Sequence, residues 1–299
     1  MERRYFLDRD LIIDKSNNIY TIFTNYNPPG YVFAYLKYIY TGKGLWRGYE
    51  RVFKQYGVHN LIKIQQENNF EYCYDAPFPI VYLSNIKKHI KPEEELNRLL
   101  KSSINDDVVL ALIDFVENYV KVKDVGVTGS IALGIHHENS DIDIIIYGCK
   151  NALDFIESFE GFKKDEQWII ETNTNYGIDY ANLLYDNKRR GIYKGRKISV
   201  LFVYDKPWKY CEEVCKKKGK VRFRATVLGD CQALFYPSIA LVISKNEYRV
   251  SKIISYEGIF SLALFGRKEV MVEGMLMECQ EENVVIIGDR EVRGFIRPL

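Results

Sequence analysis

The sequence predicts an α+β protein of more than one domain, and three observations support this fold class. Segments with apolar residues at helical spacing alternate with short apolar strands in the middle of the chain, and the last third reads as short strands with closely spaced turns. The length of 299 residues also exceeds what one small domain needs. A composition of 47% hydrophobic and 27% charged residues excludes a wholly disordered chain, whereas the net charge of +2 indicates no class of partner.

Residues 1–91 are predicted to form an α+β segment that carries no recognisable chemistry. The runs 11–14 and 19–24 are separated by the turn residues Lys-Ser-Asn-Asn, which predicts a β-hairpin. Residues 45–57 are predicted to be helical. The segment therefore contributes structure to the prediction but no site.

Residues 92–218 are predicted to form a core of alternating helices and strands. Pro92 is followed by three glutamates, a pattern typical of a helix start. Asn105 is a candidate N-cap for a second helix, whose apolar residues recur on one face. The segments 125–128, 141–147 and 198–204 are short and rich in β-branched residues, so they are predicted to be buried strands.

Residues 219–299 are predicted to form a small β-rich, barrel-like domain. Val221, Phe223 and Ala225 alternate with Arg222 and Arg224, which is the period of a strand with one buried face. Further short strands follow at close spacing up to the end of the chain, as in small barrels and sandwiches.

One motif in the core indicates chemistry. Gly129-Ser130 ends one predicted strand, and Asp141 and Asp143 begin the next about ten residues later. Because residues two apart in a strand point to the same face, both carboxylates project together and repel each other unless a cation lies between them. Mg²⁺ or Mn²⁺ suits such oxygen ligands, and a glycine-serine turn lets a phosphate approach the backbone.

This motif resembles the signature of the DNA polymerase β-like nucleotidyltransferase superfamily, in which Gly-Ser precedes Asp-x-Asp in an apolar strand. The flanking regions are similar to an archaeal group of predicted, uncharacterised nucleotidyltransferases. The resemblance implies a nucleotidyltransferase that uses a nucleoside triphosphate and a divalent metal. It further implies that Gly129 and Ser130 bind the triphosphate, and that Asp141 and Asp143 are catalytic and hold the metal. The hydroxyl acceptor could be RNA, protein or a small molecule.

One departure from the superfamily pattern supports a second hypothesis. The superfamily usually has a third acid on a neighbouring strand, and Ser199 occupies the matching place here. Asp179 or Asp205 could replace that acid, although neither has the family's spacing. The alternative is therefore a non-catalytic nucleic-acid-binding protein built on a degenerate nucleotidyltransferase core.

Charge is concentrated in the region between Lys188 and Arg224, which holds fourteen Lys and Arg residues against three acids. Such a region suits the phosphates of a nucleotide or of a nucleic acid, while lysines on a solvated strand edge are the plainer explanation. His136 and His137 lie between the two halves of the motif, where they could contact substrate or simply lie on the surface.

The six cysteines indicate neither a disulfide framework nor a metal site. Cys211 and Cys215 are predicted to share one face of a helix, but no second pair completes a metal site. The chain lacks the apolar core of a signal peptide at its start and any apolar run long enough to span a membrane. The sequence therefore predicts a soluble protein of a reducing compartment, with the cytoplasm as the default.

Overall fold

The computed structural model describes residues 3–102 and 105–299, and it contains three β-sheets that follow one another along the chain. The first sheet consists of the strands β1 (Leu11–Asp14), β2 (Ile19–Ile22), β3 (Tyr31–Gly44), β4 (Gly48–Arg51), β5 (Asn68–Glu71), β6 (Ala76–Tyr82) and β7 (Ile86–Ile90). Its order is β5-β6-β3-β2-β1-β7, with β4 paired to β3 and a single turn of helix, α1 (Val58–Leu61), beside it.

The predicted hairpin between β1 and β2 is confirmed, with Ile12 opposite Tyr20 in an antiparallel register. The helix predicted over residues 45–57 is wrong. The chain there turns between β3 and β4, and Gly44 pairs with Gly48 so closely that a side chain on Gly44 would collide with the backbone of Tyr49. Strand pairing thus overrides the local helical preference of this segment.

The second sheet forms the centre of the protein. Its helices are α2 (Pro92–Leu100), α3 (Asp107–Tyr119), α4 (Gly129–Ala132), α5 (Cys149–Ser158), α6 (Glu166–Tyr176) and α7 (Ala181–Leu184), and its strands are β8 (Val125–Val127), β9 (Ile142–Tyr147), β10 (Arg190–Tyr193) and β11 (Arg196–Val203). The strand order is β10-β11-β9-β8, with β9 and β11 parallel and the outer pairs antiparallel.

Two faces of β9 are covered by different parts of the chain. Ile142, Ile144 and Ile146 are fully buried on one face, in the hydrophobic core beneath the helices. On the opposite face, Ile145 and Tyr147 pack against Leu7 of the N-terminal segment. Asp141 and Asp143 lie on this second face, before the part that the N-terminal segment covers, because side chains alternate along a strand.

The third sheet closes on itself. It consists of β12 (Lys216–Gly229), β13 (Ser238–Val242), β14 (Val250–Ser255), β15 (Gly266–Glu278), β16 (Asn283–Ile287) and β17 (Phe295–Pro298), with a single helical turn, α8 (Ser261–Leu264). The pairings β12-β13-β14-β16-β15-β12 form a five-stranded closed ring, and β17 adds to β15. The prediction of a small barrel-like domain is confirmed; β12 begins at Lys216, slightly before the predicted start at residue 219.

Hydrogen bonds and an ion pair attach the N-terminal sheet to the core. The Arg3 guanidinium lies 2.6 Å from Asp10 and 2.9 Å from Glu93 at the start of α2. Asn25 donates from its side chain to the carbonyls of Tyr204 and Lys206, at 2.6 and 2.8 Å. These contacts fix the sheet against the same face of the core that carries the two aspartates.

The sequence indicated no disulfide framework, and this prediction is wrong, because all six cysteines form disulfides in the structure. The pairs are Cys73–Cys211, Cys149–Cys231 and Cys215–Cys279. Cys211 and Cys215 do not share a helix, and each bonds to a different partner. The first two bonds join the barrel or the segment leading to it with the rest of the chain. In the described part of the chain, no helix combines the length and the apolar character that a bilayer span requires.

The start of α3 is capped one residue later than the sequence predicts. Asp106, not Asn105, is the N-cap, and one of its carboxylate oxygens accepts from the backbone amides of Val108 and Val109 at 3.0 and 3.1 Å. Burial opposes the charged form of Asp106, but the Val109 amide and the adjacent His136 outweigh it and lower its pKa below the usual value.

We expect Asp106→Ala to lower the free energy of unfolding by about 1 kcal/mol at neutral pH, because two amides at the start of α3 lose their acceptor. Since the pKa is lowered in the folded state, this contribution is present at neutral pH and is lost on acidification. Urea unfolding at neutral and acidic pH measures it.

The matched control is Asp107→Ala, which removes an exposed charge from the first turn of the same helix. We expect it to change the free energy of unfolding by about 0.5 kcal/mol or less. Equal losses in the two variants would contradict a capping role for Asp106.

Candidate active site

The glycine-serine turn lies directly against one of the two aspartates. Thr128 at the end of β8 donates its backbone amide to the Asp143 carbonyl at 3.0 Å, and the chain then turns at Gly129 with a φ of +71°. A Cβ atom on Gly129 would lie 2.8 Å from Asp143 Oδ2. Glycine is therefore required here both for the backbone conformation and for the space that the carboxylate occupies. Ser130 follows, buried in the same turn.

Strand register places further polar side chains beside the aspartates. Ser199 on β11 is the partner of Asp143, and Arg190 on β10 is in turn the partner of Ser199. Partners in adjacent strands share a face, so these three side chains form one row across the sheet. Two residues earlier on both strands, the same register places Lys197 beside Asp141.

The surroundings of Asp141 disfavour the ionised form of its carboxyl group. Its side chain is exposed to solvent on one side, but nearby protein atoms exclude water from the rest of its surroundings. This desolvation, followed in size by the charge of Asp143, raises the pKa of Asp141 to about 6, whereas Lys197 acts in the opposite direction. A cation between the two carboxylates would remove this penalty.

Thr128, Ser130 and both aspartates line a cavity of about 500 Å³, which we call the aspartate cavity. All three sheets contribute to its wall. Among the described residues, the cationic side chains on the wall are Arg9, Lys37, Arg51, Lys54, Arg189, Arg190 and Lys197, and the acidic ones are Asp141, Asp143, Asp165, Glu171 and Glu257. The cavity is thus polar, with an excess of positive charge around a pair of carboxylates.

Two of these cations come from the N-terminal sheet, for which no sequence motif indicated a function. Lys37 on β3 is only 6% exposed. Burial opposes its charge, but the neighbouring Tyr56 and Asp143 are among the groups that outweigh burial and raise its pKa, so Lys37 is charged at neutral pH. Arg51 on β4 has a buried Nε atom with no hydrogen-bond partner in the described structure.

Arg9 reaches the cavity from the segment before β1. Its carbonyl accepts from the Thr128 hydroxyl at 2.9 Å, which ties this segment to the residue that precedes Gly129. Its guanidinium carbon lies 5.2 Å from the centre of the Tyr236 ring, a cation–π contact. Arg9 is therefore held by both the core and the segment between β12 and β13.

The paired arginines before β11 contribute from the opposite side. The Arg190 guanidinium lies 4.6 Å from the centre of the Trp168 ring. Arg189 contacts the Ser261 hydroxyl, and burial lowers its pKa to about 10, so it is still charged at neutral pH. The Nε atom of Arg189 is also buried and has no hydrogen-bond partner among the described residues.

The structure separates the proposed substitutes for a third acid from the site. Asp179 and Asp205 are not among the residues that line the aspartate cavity. Asp165 lines it instead, although its side chain also accepts from the Trp168 amide at 3.2 Å and lies 3.8 Å from the Lys197 amine. Asp165 is close enough to contribute to the raised pKa of Asp141. No motif spacing pointed to it.

The two histidines of the intervening loop have different environments. His137 lines the cavity, with its ring centre 5.5 Å from that of Trp46. His136 points away and lies 3.1 Å from the Asp106 carboxylate at the start of α3. Only His137 is therefore positioned to meet a ligand in the cavity.

The basic region between Lys188 and Arg224 is divided by the fold. Arg189, Arg190 and Lys197 line the aspartate cavity, whereas lysines of β12 form ion pairs with acids. Lys217 lies 2.8 Å from Asp289 and Lys220 lies 2.7 Å from Glu273. The region does not form one uniform basic surface, and nucleic-acid binding through it stays a prediction.

Comparison with known proteins identifies the central part of this arrangement. Residues 109–203 match the model of the nucleotidyltransferase domain family. These residues are similar to a nucleotidyltransferase domain. This match spans the glycine-serine turn, both aspartates and the strand that carries Ser199, and it confirms the resemblance that the motif indicated. The chain is therefore a predicted nucleotidyltransferase.

A relative of similar length matches most of the chain. An uncharacterized protein of Methanocaldococcus jannaschii is 25% identical over 321 aligned residues, which cover 90% of each chain. The similarity therefore includes the N-terminal sheet and the barrel as well as the nucleotidyltransferase domain. No solved structure shows a significant match to the chain.

We expect Gly129→Ala to destabilise the protein more than Gly134→Ala, by at least about 1 kcal/mol. Both glycines have positive φ, +71° and +66°, so both substitutions introduce a similar backbone strain. Only the Gly129 substitution also forces a contact with Asp143, because Gly134 has open space around it. Denaturant unfolding of the two variants measures the difference.

Repeating the comparison in an Asp143→Ala background isolates that contact. With the carboxylate removed, Gly129→Ala and Gly134→Ala are expected to lose the same stability. A difference that persists in this background would show that something other than Asp143 requires glycine at position 129.

Proposed function

We propose that this protein transfers a nucleoside monophosphate from a nucleoside triphosphate to a hydroxyl group, in the presence of Mg²⁺ or Mn²⁺. One observation carries the proposal: a carboxylate pair, Ser130 of the glycine-serine turn and seven cationic side chains line one cavity among the described residues. Carboxylates suit the metal, and the cations suit the phosphates. The nucleotidyltransferase domain match supports the same reaction class.

The residues present fit a hard divalent cation. Asp141 and Asp143 provide oxygen ligands from one face of the sheet, and desolvation, followed by the charge of Asp143, raises the pKa of Asp141. We propose that both hold the metal and act as the catalytic carboxylates. When bound, such a metal would neutralise the charge that develops on the phosphate and on the leaving group.

The cations are arranged for a multiply charged anion rather than for a single carboxylate. Nε atoms of Arg51 and Arg189 are buried without a hydrogen-bond partner among the described residues, and buried donors normally have one, whereas Arg9 Nε lies 3.3 Å from Asp8. A triphosphate would provide acceptors for several of these cations at once. We propose that Gly129 and Ser130 contact the same triphosphate from the turn.

The proposed reaction breaks one bond and forms one. The acceptor hydroxyl oxygen attacks the α-phosphorus, the bond from that phosphorus to the bridging oxygen of the β-phosphate breaks, and pyrophosphate leaves with the bonding electrons. The hydroxyl proton is lost to a base or to water. The contribution of this chain is to hold the triphosphate in line and to stabilise its charge.

Calorimetric titration of ATP, GTP, CTP and UTP in the presence of Mg²⁺ tests this proposal. We expect at least one nucleotide to bind, and we expect binding to be lost when Mg²⁺ is chelated or when Asp141→Ala and Asp143→Ala are combined, because the anion then lacks its metal bridge. The double variant Asp179→Ala/Asp205→Ala, which lies outside the cavity, is expected to bind as the wild type does.

Absence of binding to all four nucleotides by the folded wild-type protein would overturn the proposal. The non-catalytic nucleic-acid-binding alternative would then gain support, since Ser199 rather than an acid lies opposite Asp143. Titration of a single-stranded RNA oligonucleotide at two salt concentrations would test it. If Lys and Arg residues between Lys188 and Arg224 contact the RNA phosphates, the affinity should fall at the higher salt concentration.

The N-terminal sheet is expected to contribute to nucleotide affinity. Lys37→Gln should weaken metal-dependent nucleotide binding at least tenfold, because it removes a buried charge from the cavity wall. Lys43→Gln, an exposed position on the same strand β3, should change the affinity less than twofold. Equal affinities of the two folded variants, with matching melting temperatures, would show that Lys37 does not contact the nucleotide.

A further inference from the structure

A second cavity, of about 560 Å³, lies between the N-terminal sheet and the barrel, and we call it the aromatic chamber. Ten aromatic side chains line it among the described residues, including Trp208, Tyr26 and Phe78. They come from the N-terminal sheet, from the segment that leads into the barrel and from the turn before β13. A chamber of this size falls within the range of about 300–1,000 Å³ that is usual for small-molecule sites.

The chamber and the aspartate cavity share part of their walls. Tyr35, Phe235, Tyr236 and Tyr256 line both cavities. The Tyr236 hydroxyl donates to the Tyr256 carbonyl at 2.8 Å, which fixes this shared wall. A molecule in the chamber therefore lies next to the site at which we place the nucleotide.

The side chains that line the two cavities differ, and the two linings suit different ligands. The three cations of the chamber wall have other partners: Lys209 lies 3.0 Å from Glu212, Lys252 pairs with Glu282, and Arg290 donates to the Asn68 side chain at 2.7 Å. Of the four acidic side chains among the described residues of this wall, three also have cationic partners, namely Glu212, Glu282 and Asp289, the last with Lys217 at 2.8 Å. Phosphate groups are thus matched by the aspartate cavity and not by the chamber.

We propose that the aromatic chamber binds the acceptor, and that this acceptor is a small molecule with an uncharged, aromatic or apolar body and a hydroxyl group. The proposal rests on the proposed function, because it places the body of the acceptor in the chamber and its hydroxyl at the shared wall. That hydroxyl oxygen forms the new bond to the α-phosphorus while pyrophosphate leaves and the proton is lost. A nucleic-acid acceptor would bring phosphates to a mainly aromatic wall whose lysines are already paired with glutamates.

The test uses 2-(2-naphthyl)ethanol as the probe, titrated by calorimetry into the intact protein with and without ATP, or another nucleotide that binds, and Mg²⁺. We expect saturable binding of one probe per chain, unchanged by the nucleotide. The phosphate ester of the same alcohol is expected to bind at least tenfold more weakly, because the phosphate would lose water in a mainly aromatic chamber whose lysines are already paired with glutamates.

Two variants locate the probe. Ala76→Phe fills the chamber from β6, and Trp208→Ala removes part of its wall, so each is expected to weaken probe binding at least tenfold while leaving nucleotide binding unchanged. Leu241→Phe, at an exposed position on β13 outside the chamber, is the matched control for added bulk. Unchanged probe affinity in both chamber variants would overturn the proposal.

Other outcomes distinguish this proposal from the proposed function. Competition between probe and nucleotide would place the nucleobase in the chamber and overturn the acceptor assignment, as would tight binding of the phosphate ester. Probe binding that survives the Asp141→Ala/Asp143→Ala change, which abolishes nucleotide binding, would support two separate sites. Probe binding without any nucleotide binding by the wild type would overturn the acceptor role and leave an aromatic ligand site.

Discussion

One face of the central strand β9 carries both acidic and apolar side chains, and much of the structure follows from this combination. At its beginning, that face carries Asp141 and Asp143, which need water, a cation or basic neighbours. Two residues later it carries Ile145 and Tyr147, which need to be buried, and Leu7 of the N-terminal segment covers them. The chain before the first sheet is therefore packed onto the core at the edge of the site, which is why Arg9, two residues after Leu7, reaches the aspartate cavity.

This docking explains why the site is built from distant parts of the chain. The Thr128 hydroxyl bonds to the Arg9 carbonyl, so the turn that contains Gly129 and the segment that contains Arg9 hold each other in place. Once the first sheet lies against the core, Lys37 and Arg51 close one side of the cavity. The barrel closes another, with Cys149–Cys231 linking the helix after β9 to the residues before β13. The nucleotidyltransferase domain alone would lack several of the cations that surround its aspartates.

Local patterns in the sequence predicted the parts of the site that a short stretch of chain encodes. The alternation in residues 141–147 predicts a buried strand with two carboxylates on one face, and Gly129-Ser130 lies close to Asp143 as that motif implies. The cations of the N-terminal segment and Asp165 could not be predicted, because strand order and docking bring them to the cavity and no spacing in the sequence records either. Arg189, Arg190 and Lys197 lie within the basic region that the sequence did indicate. The cysteines were misread for the same reason, since Cys73 and Cys211 are 138 residues apart and their pairing depends on the fold.

Ser199 lies in the row of side chains formed by Arg190, Ser199 and Asp143, at the position where a three-carboxylate site would have an acid. A third acid opposite Asp143 would add to the repulsion that already raises the pKa of Asp141, whereas serine adds none. Lys197 and Arg190 then offset the two aspartates from neighbouring strands. With Asp165 on the cavity wall beside Lys197, a third carboxylate is available from a helix start instead of from the sheet. The cavity thus combines carboxylates with cationic side chains, in positions that only the folded chain defines.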